Sequence, residues 1–250
     1  MIDNKVKLVI WDLDDTFWRG ILTEGGITPI ECNREIVLEL SKRGIVNSIC
    51  SKNDYEQTKA KLIELDVWDY FVFPSISFNP KGKAIADMIE AAALRAENVL
   101  FIDDNRLNLE EVKFFNPGIM AAHPDDVLGG LLDHAHLEGK PDPEFKRLKQ
   151  YQFLQRKVEE KSASALSNEE FLRSCNIVLT IDHDIESNFD RVVELINRTN
   201  QLNYTKKRLE TPESLEKFRK LLSSFGYYAG CVRATDRYGD YGLVGFFLMQ

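Results

Sequence analysis

Residues 7–16 read Lys-Leu-Val-Ile-Trp-Asp-Leu-Asp-Asp-Thr, and this stretch decides the fold. Its first half, residues 7–11, is short, mostly apolar and β-branched, which predicts a buried strand. Its second half places Asp12 and Asp14 two residues apart at the end of that strand. Two such carboxylates can share work, one attacking a phosphorus atom while the other donates and recovers a proton. Acidic residues after a strand also serve as helix N-caps, so both interpretations stay open on this motif alone.

The rest of the first 135 residues alternates between strand and helix patterns. Further strands are predicted at residues 45–50, 70–73, 99–102 and 118–122. Helices are predicted at residues 33–43, 55–65, 83–94, 107–115 and 125–134. Alternation at this spacing indicates crossover connections, so the predicted fold class is α/β, a Rossmann-like, doubly wound parallel sheet. Sites in such sheets form beyond the carboxyl ends of the strands.

Three further strand ends favour the chemical interpretation over the capping one. Ser51 follows the second strand, and its hydroxyl can hold a phosphate oxygen. Lys81 and Lys83 both follow the short strand, where the next helix begins, and Lys81 is favoured because it comes directly after Asn-Pro. Asp103 and Asp104 follow the apolar strand at residues 99–102, and their oxygens suit a Mg²⁺ ion. A nucleophile, a hydroxyl, a cation and metal-binding acids therefore occur in that order.

These four motifs resemble those of the haloacid dehalogenase (HAD) superfamily of phosphatases and phosphotransferases, and the resemblance covers roughly residues 7–135. It implies an enzyme that hydrolyses phosphate monoesters of small molecules, with Asp12 attacking phosphorus to give an aspartyl-phosphate. Asp14 would protonate the leaving group and then activate water. Ser51 and Lys81 would bind the transferring phosphoryl group and keep Asp12 ionised.

The same resemblance implies a Mg²⁺ cofactor. The Asp12 carboxylate, the Asp14 backbone carbonyl and Asp103 would hold the ion, whereas Asp104 would contact those ligands rather than the metal.

Trp18, Arg19 and the turn at Gly25-Gly26 resemble the flap hairpin that follows the nucleophile in that superfamily, although Trp18 can also be a packing residue. Neither usual insertion point is long enough for a cap domain, so a capless, open site is predicted. The histidines at positions 123, 134 and 136 have no ligand spacing and receive no role.

The second half of the chain has a different composition, beginning at a linker-like stretch, residues 138–144. We predict three segments: a HAD-like domain at residues 1–137, a linker and helix at 138–165, and a smaller α/β domain at 166–250. Within the last segment, Ser167 and Glu170 predict a capping box. Helices are predicted at 189–198 and after Pro212, with a strand at 177–181 and a hairpin joining 227–235 to 243–249. Because the sequence stops on an apolar stretch, we expect this domain to be truncated.

Several stretches resemble more narrowly the FkbH-like branch (subfamily IIIC) of the HAD superfamily. They are residues 11–20, 50–53, 101–105, 198–203 and 236–245. The last two resemble an acyltransferase-like portion. This resemblance implies an alternative function, in which a glyceryl-type unit moves from a phosphorylated glycerate to the thiol of an acyl-carrier protein.

Such loading requires a thiol at the site. Position 13 is Leu, so Cys50 is the remaining candidate, and a strand cysteine is usually a small buried hydrophobe. Hydrolysis is therefore the leading prediction.

Bulk composition excludes some other classes. The net charge of −8 and the pI near 5.2 argue against nucleic-acid binding. The chain has no apolar run long enough for a membrane span and no signal-peptide pattern, and its four cysteines show no metal-ligand spacing, which predicts a reduced, cytoplasmic protein. A binding module with a relic fold would lack one of the motifs, and a receiver domain would place a single phosphoacceptor after its third strand.

Overall fold

The computed structural model describes residues 2–163, 167–199, 203 and 206–249. The chain divides into two units, Met1–Glu160 and Lys161–Gln250, and each is described by itself. None of the described helices is long and apolar enough to cross a membrane.

The first unit is built on a five-stranded parallel sheet, flanked by a short antiparallel hairpin. Its strands are β1 (Leu8–Trp11), β2 (Trp18–Arg19), β3 (Thr28–Pro29), β4 (Val46–Ser51), β5 (Ser75–Ile76), β6 (Val99–Ile102) and β7 (Met120–Ala122). Its helices are α1 (Glu31–Lys42), α2 (Tyr55–Glu64), α3 (Lys81–Ala91), α4 (Arg106–Phe115), α5 (Pro124–Val127) and α6 (Lys146–Ala163), the last of which continues past the unit boundary.

The sheet order β5-β4-β1-β6-β7 confirms the doubly wound α/β prediction. From the central β1 the chain moves to β4 on one side and, later, to β6 on the other. Such a reversal of strand order opens a crevice at the carboxyl ends of the strands. The end of β1, where Asp12 lies, is therefore at the point where this topology favours a ligand site.

Both faces of the sheet are covered, which explains why β1 and β6 are apolar throughout. Val9 and Trp11 pack with residues of α1 and α2, whereas Leu8 and Ile10 pack with residues of α3 and α4. All four β1 side chains are at most 1% exposed. Alternate β1 residues therefore anchor the strand in two separate cores. The acids that directly follow β1 are thus held at a rigid edge of the sheet.

The predicted strand at residues 70–73 is wrong. Residues Trp68–Tyr70 form a 3-10 turn, and only Phe71 bridges to β4. Phe73 adopts a φ of 50°, in the left-handed region, and its N–H donates to Oε1 of Gln155 instead of to the sheet. Regular pairing with β4 resumes at Ser75–Ile76, immediately before the segment that carries Lys81.

The predicted helix at residues 125–134 forms only in part. One α-helical turn, Pro124–Val127, is followed by 3-10 turns over Leu128–Asp133, with Gly130 at φ −142°. Two consecutive glycines favour helix poorly because they lose much backbone entropy on ordering.

The first unit extends beyond the predicted boundary at residue 137. Leu148 and Tyr151 of α6 are buried in the core that α3 and α4 share with the sheet. The side chain of Gln155 also accepts a hydrogen bond from the backbone N–H of Phe73. The first turns of α6 thus belong to the first unit, although the sequence indicates a linker there.

The second unit is a small α/β arrangement with an antiparallel sheet of order β10-β9-β8. Its elements are α7 (Asn168–Ser174), β8 (Val178–Asp182), α8 (Phe189–Arg198), α9 (Pro212–Leu222), β9 (Tyr228–Asp236) and β10 (Gly239–Met249). The Ser167–Glu170 capping box and the hairpin are confirmed, with a tighter turn than predicted. Of the FkbH-like stretch at 198–203, residues 200–202 lie outside the described residues, as do residues 164–166 near the predicted linker end.

Candidate functional site

Three buried polar residues lie at the carboxyl ends of the central strands. Asp12 follows β1, Ser51 ends β4 and Asp103 follows β6; they are 6%, 2% and 0% exposed. Backbone pairing extends past the strand ends, because the Asp12 N–H donates to the Ile102 carbonyl at 2.9 Å. Backbone hydrogen bonds between the strands therefore hold these residues at one edge of the sheet.

Lys81 joins the acids of two strands. Its Nζ lies 2.6 Å from Oδ1 of Asp12 and 2.7 Å from Oδ2 of Asp103, and the residue is only 2% exposed. Burial by itself would lower the pKa of Lys81, but Asp12 and Asp103 outweigh it, so the pKa is raised and the ammonium stays charged. Lys83 instead points to solvent and pairs with Asp87, so the structure places Lys81 and not Lys83 in the site.

The site carries more negative than positive charge. Burial raises the pKa of Asp12 to about 6, with Lys81 opposing the shift and Asp103 adding to it. The pKa of Asp104 is raised as well, by burial and then by Asp103 and Asp15. A second cation near these carboxylates would relieve the repulsion between them.

The carboxylates of Asp12, Asp103 and Asp104 form a group that fits a divalent metal ion. One oxygen of each lies within 4.8 Å of the others, and carboxylate oxygens are the ligands that Mg²⁺ prefers. The Asp104 carboxylate belongs to this group, although the family resemblance assigns it a contact with the ligands rather than with the metal. Coordination by the Asp14 backbone carbonyl stays a prediction.

Hydrogen bonds fix the orientation of Asp103. Its Oδ1 accepts from the Asn105 backbone N–H at 2.8 Å, and the side-chain amide of Asn108 donates to both carboxylate oxygens. Neighbouring Asp104 is tied to the first motif, because its N–H donates to Oγ1 of Thr16 at 3.0 Å. Asn108 is not among the predicted site residues, because its place in the first turn of α4 is visible only once the helix start is known.

The Asp14 side chain is held by donors from three segments. Oδ1 accepts from the Trp18 indole N–H at 2.9 Å and from the Leu22 backbone N–H at 3.2 Å, while Oδ2 accepts from the Asn53 amide at 2.9 Å. Trp18 is fully buried and lies on the β2–β3 hairpin, in the segment predicted to form a flap. Trp18 is thus both a packing residue and a partner of Asp14.

Cys50 is not placed as a reactive thiol. It is 2% exposed and packs in the core with Leu8 and Val46. Burial raises its pKa to about 12, so the thiolate, which is the nucleophilic form, is disfavoured.

The metal-free protein is expected to lose stability as the pH rises from about 4 to about 6. The pKa of Asp12 is 3.8 in the unfolded chain and about 6 when folded. The folded state therefore holds the extra proton in this window, and the free energy of unfolding falls as that proton leaves. Urea unfolding in EDTA should show Asp12→Asn gaining about 1–3 kcal/mol relative to wild type across the window. A difference that does not change with pH would contradict the raised pKa.

The chain is similar to several solved structures, but to no family model and no curated protein. The chain is similar to the N-terminal part of a Bacteroides fragilis protein that contains a phosphatase domain and is complexed with Mg, with 21% identity, a TM-score of 0.46, and coverage of 56% of this chain and 41% of that one. The chain thus spans about two fifths of the length of the Bacteroides chain.

Two other solved structures show similarity of the same order. One is the cobalt-bound deoxy-D-mannose-octulosonate 8-phosphate phosphatase of Haemophilus influenzae, with 17% identity, a TM-score of 0.40, and coverage of 67% of this chain and 97% of that one. The other is a HAD-superfamily hydrolase of Ehrlichia chaffeensis, with 11% identity, a TM-score of 0.41, and coverage of 52% and 98%. Similarity at this level does not indicate the activity of this chain. The activity is inferred from the site residues.

Proposed function

We propose that this chain hydrolyses a phosphate monoester by Mg²⁺-dependent phosphoryl transfer through an aspartyl-phosphate on Asp12. The observation that carries the proposal is the buried arrangement in which Lys81 bridges Asp12 and Asp103, with Asp104 completing a group of carboxylates. A purely structural cluster would not be expected to place two buried carboxylates on one buried ammonium with a third carboxylate nearby, because unbalanced buried charge is destabilising.

The residues can divide the two chemical steps between them. An oxygen of Asp12 attacks phosphorus in line, the bond from phosphorus to the ester oxygen breaks, and Asp14 gives its proton to the departing oxygen. Asp14 then takes a proton from a water molecule that attacks the phosphorus, which releases inorganic phosphate and restores the Asp12 carboxylate. Ser51 and Lys81 would bind phosphoryl oxygens during both steps.

Asp12, Asp103 and Asp104 would hold the Mg²⁺ ion, together with the predicted Asp14 carbonyl. When bound, the ion would supply positive charge near the transferring phosphoryl group. The chain's own contribution is to hold Asp103 by Asn105 and Asn108 and to keep Asp12 beside Lys81.

No observation favours the loading reaction of the FkbH-like branch, so it is not proposed. Cys50 is buried in an apolar core as a neutral thiol. The FkbH-like assignment, the carrier-protein partner and the cytoplasmic location stay predictions, as does a phosphorylated small molecule as the substrate.

The proposal is tested by phosphate release from a panel of sugar phosphates, phosphoglycerates and nucleotides. Each substrate is assayed with Mg²⁺ or EDTA, and with or without a thiol-bearing carrier protein. Release that needs Mg²⁺ but no carrier supports hydrolysis. Release that occurs only with carrier, leaving an acyl thioester on it, would replace hydrolysis with loading.

Mg²⁺ is expected to stabilise the folded protein in proportion to the logarithm of its concentration. A ligand at 100 times its dissociation constant adds about 2.7 kcal/mol if it binds only the folded state. Thermal unfolding of wild type should therefore shift upward with Mg²⁺, whereas Asp103→Asn should abolish the shift. Asp125→Asn, an exposed carboxylate on α5, is the matched control and should keep it. An unchanged shift in Asp103→Asn would place the ion elsewhere.

A further inference from the structure

Asn53 connects the two polar groups that the proposed reaction uses beside Asp12. Its side-chain amide donates to Oδ2 of Asp14 at 2.9 Å and to Oγ of Ser51 at 3.2 Å. The residue is 2% exposed, just past the end of β4. It does not cap the following helix, because Asp54 performs that role by accepting from the Gln57 N–H. The buried amide is thus committed to the site.

The direction of these hydrogen bonds follows from the chemistry of the groups. The amide nitrogen of Asn53, and not its oxygen, faces Oδ2 of Asp14, and a carboxyl oxygen can accept from it both before and after the group gives up its proton. That nitrogen carries two hydrogens, one for each partner. Because the Ser51 oxygen accepts from Asn53, the single hydroxyl hydrogen of Ser51 is left to point elsewhere. A phosphoryl oxygen is an acceptor that this hydrogen can serve.

We propose that Asn53 is a positioning residue that aims the Asp14 carboxylate at the ester oxygen and turns the Ser51 hydroxyl hydrogen toward the phosphoryl group. The inference rests on the proposed function. Asn53 exchanges no proton itself; the proton passes from Asp14 to the ester oxygen as the phosphorus–oxygen bond breaks. Trp18 and Leu22 donate to the other oxygen of Asp14, Oδ1. Without Asn53 the carboxylate would be held through Oδ1 only, and it could rotate away from the ester oxygen.

The leaving group provides a test that a merely structural role would not pass. p-Nitrophenolate departs without much help from an acid, whereas phenolate needs protonation more. Asn53→Ala is expected to reduce kcat/KM on phenyl phosphate by about 10–100-fold, as for other small misplacements of a reacting group. This parameter covers the reaction only up to departure of the leaving group, so it leaves out hydrolysis of the aspartyl-phosphate, which both substrates share. On p-nitrophenyl phosphate the loss should stay below about tenfold. If the alanine variant folds poorly, Asn53→Asp takes its place. It keeps the shape of the side chain but faces Asp14 with an acceptor, and it should show the same larger loss on phenyl phosphate.

Asn47→Ala is the matched control. Asn47 is fully buried on β4, the strand that precedes Asn53, and makes structural hydrogen bonds to Trp11, Val37 and Ser41. Its removal should lower stability by about 1–3 kcal/mol without changing the ratio of the two rates. Calorimetry with inorganic phosphate and Mg²⁺ gives a readout without turnover, and Asn53→Ala should weaken that binding about tenfold because Ser51 loses its fixed direction.

Adding Asn53→Ala to Asp14→Asn should leave the ratio of kcat/KM on the two substrates unchanged, since the leaving-group preference acts through Asp14 alone. Equal losses on both substrates, as in Asn47→Ala, or a changed ratio when Asn53→Ala is added to Asp14→Asn would overturn the inference about Asp14. Wild-type phosphate affinity would overturn the part that concerns Ser51. If Asp12→Asn is inactive while Asn53→Ala behaves like Asn47→Ala, only this inference fails; if Asp12→Asn keeps turnover, the proposed function fails first.

Discussion

Asp12→Asn is expected to lose at least about 10⁴-fold in turnover while remaining folded and, without metal, at least as stable as wild type at neutral pH. Removal of a nucleophile abolishes the covalent route, and what remains is binding and positioning, which in other enzymes leaves only a small residual rate. An amide at position 12 is nearly isosteric with the carboxylate. The core around it, including Trp11 and Leu13, should therefore keep its packing.

The stability half of this expectation follows from charge. In the metal-free site, Lys81 faces the carboxylates of Asp12 and Asp103 at 2.6 and 2.7 Å, and Asp104 lies close by. Replacing Asp12 by a neutral amide leaves one close carboxylate for the one ammonium, so the excess of buried negative charge is reduced. The site is thus arranged for a reaction that needs the extra charge, at some cost to the free protein.

Steady-state phosphate release and urea unfolding of the same preparations measure both halves. Asp15→Asn is a matched control, because Asp15 is an exposed carboxylate of the same motif whose Oδ1 only accepts from the Gly20 N–H. It should keep turnover within about tenfold and leave the free energy of unfolding within about 1 kcal/mol of wild type. Turnover retained by Asp12→Asn would mean that another group attacks phosphorus.

The sequence was sufficient to predict the sheet edge because strand ends are marked by composition. Asp12, Ser51 and Asp103 lie at the ends of three adjacent strands, β1, β4 and β6, and parallel topology alone brings them together. Lys81 required a second consideration, its place directly after Pro80, which makes it the first residue of α3. That position points its side chain back across the strand ends.

Asn53 and Asp54 show why part of the site was missed. Either residue can cap the helix that follows, and the sequence does not say which one does. Since Asp54 takes the cap, Asn53 is left for Ser51 and for Asp14, and no local pattern encodes the contact with Asp14, 39 positions away. Two adjacent capping residues before one helix are nevertheless a usable indication that one of them has another role.

The missed strand boundary and the missed packing of α6 have one physical origin. Phe73 leaves the extended conformation, and its N–H is satisfied by Gln155 of α6, 82 positions later. Burial on α6 is limited to Leu148 and Tyr151, too narrow an apolar stripe to distinguish a packed helix from a linker helix. Where tertiary contacts override local preference, the sequence pattern does not record it.

Lys81→Met is expected to lower the free energy of unfolding of the metal-free protein by about 3–5 kcal/mol at neutral pH, the usual cost of removing one partner of a buried ion pair. The methionine keeps the apolar stem but leaves the buried carboxylates of Asp12 and Asp103 without their cation. Because protonation relieves that repulsion, the deficit should shrink toward pH 4.

The same deficit should shrink when Mg²⁺ is added, since a divalent ion supplies positive charge to the remaining carboxylates. Lys83→Met is the matched control, as Lys83 lies in the first turn of the same helix but is 76% exposed and pairs with Asp87 on the surface at 3.0 Å. Such a pair contributes about 0.3–0.5 kcal/mol, so the control should change little at any pH or Mg²⁺ concentration. Urea unfolding of both variants in EDTA and in Mg²⁺ makes the comparison. Equal effects of the two substitutions would show that Lys81 does not balance the charge of the site, and the assignment of Lys81 as the phosphoryl-binding cation would lose its physical basis.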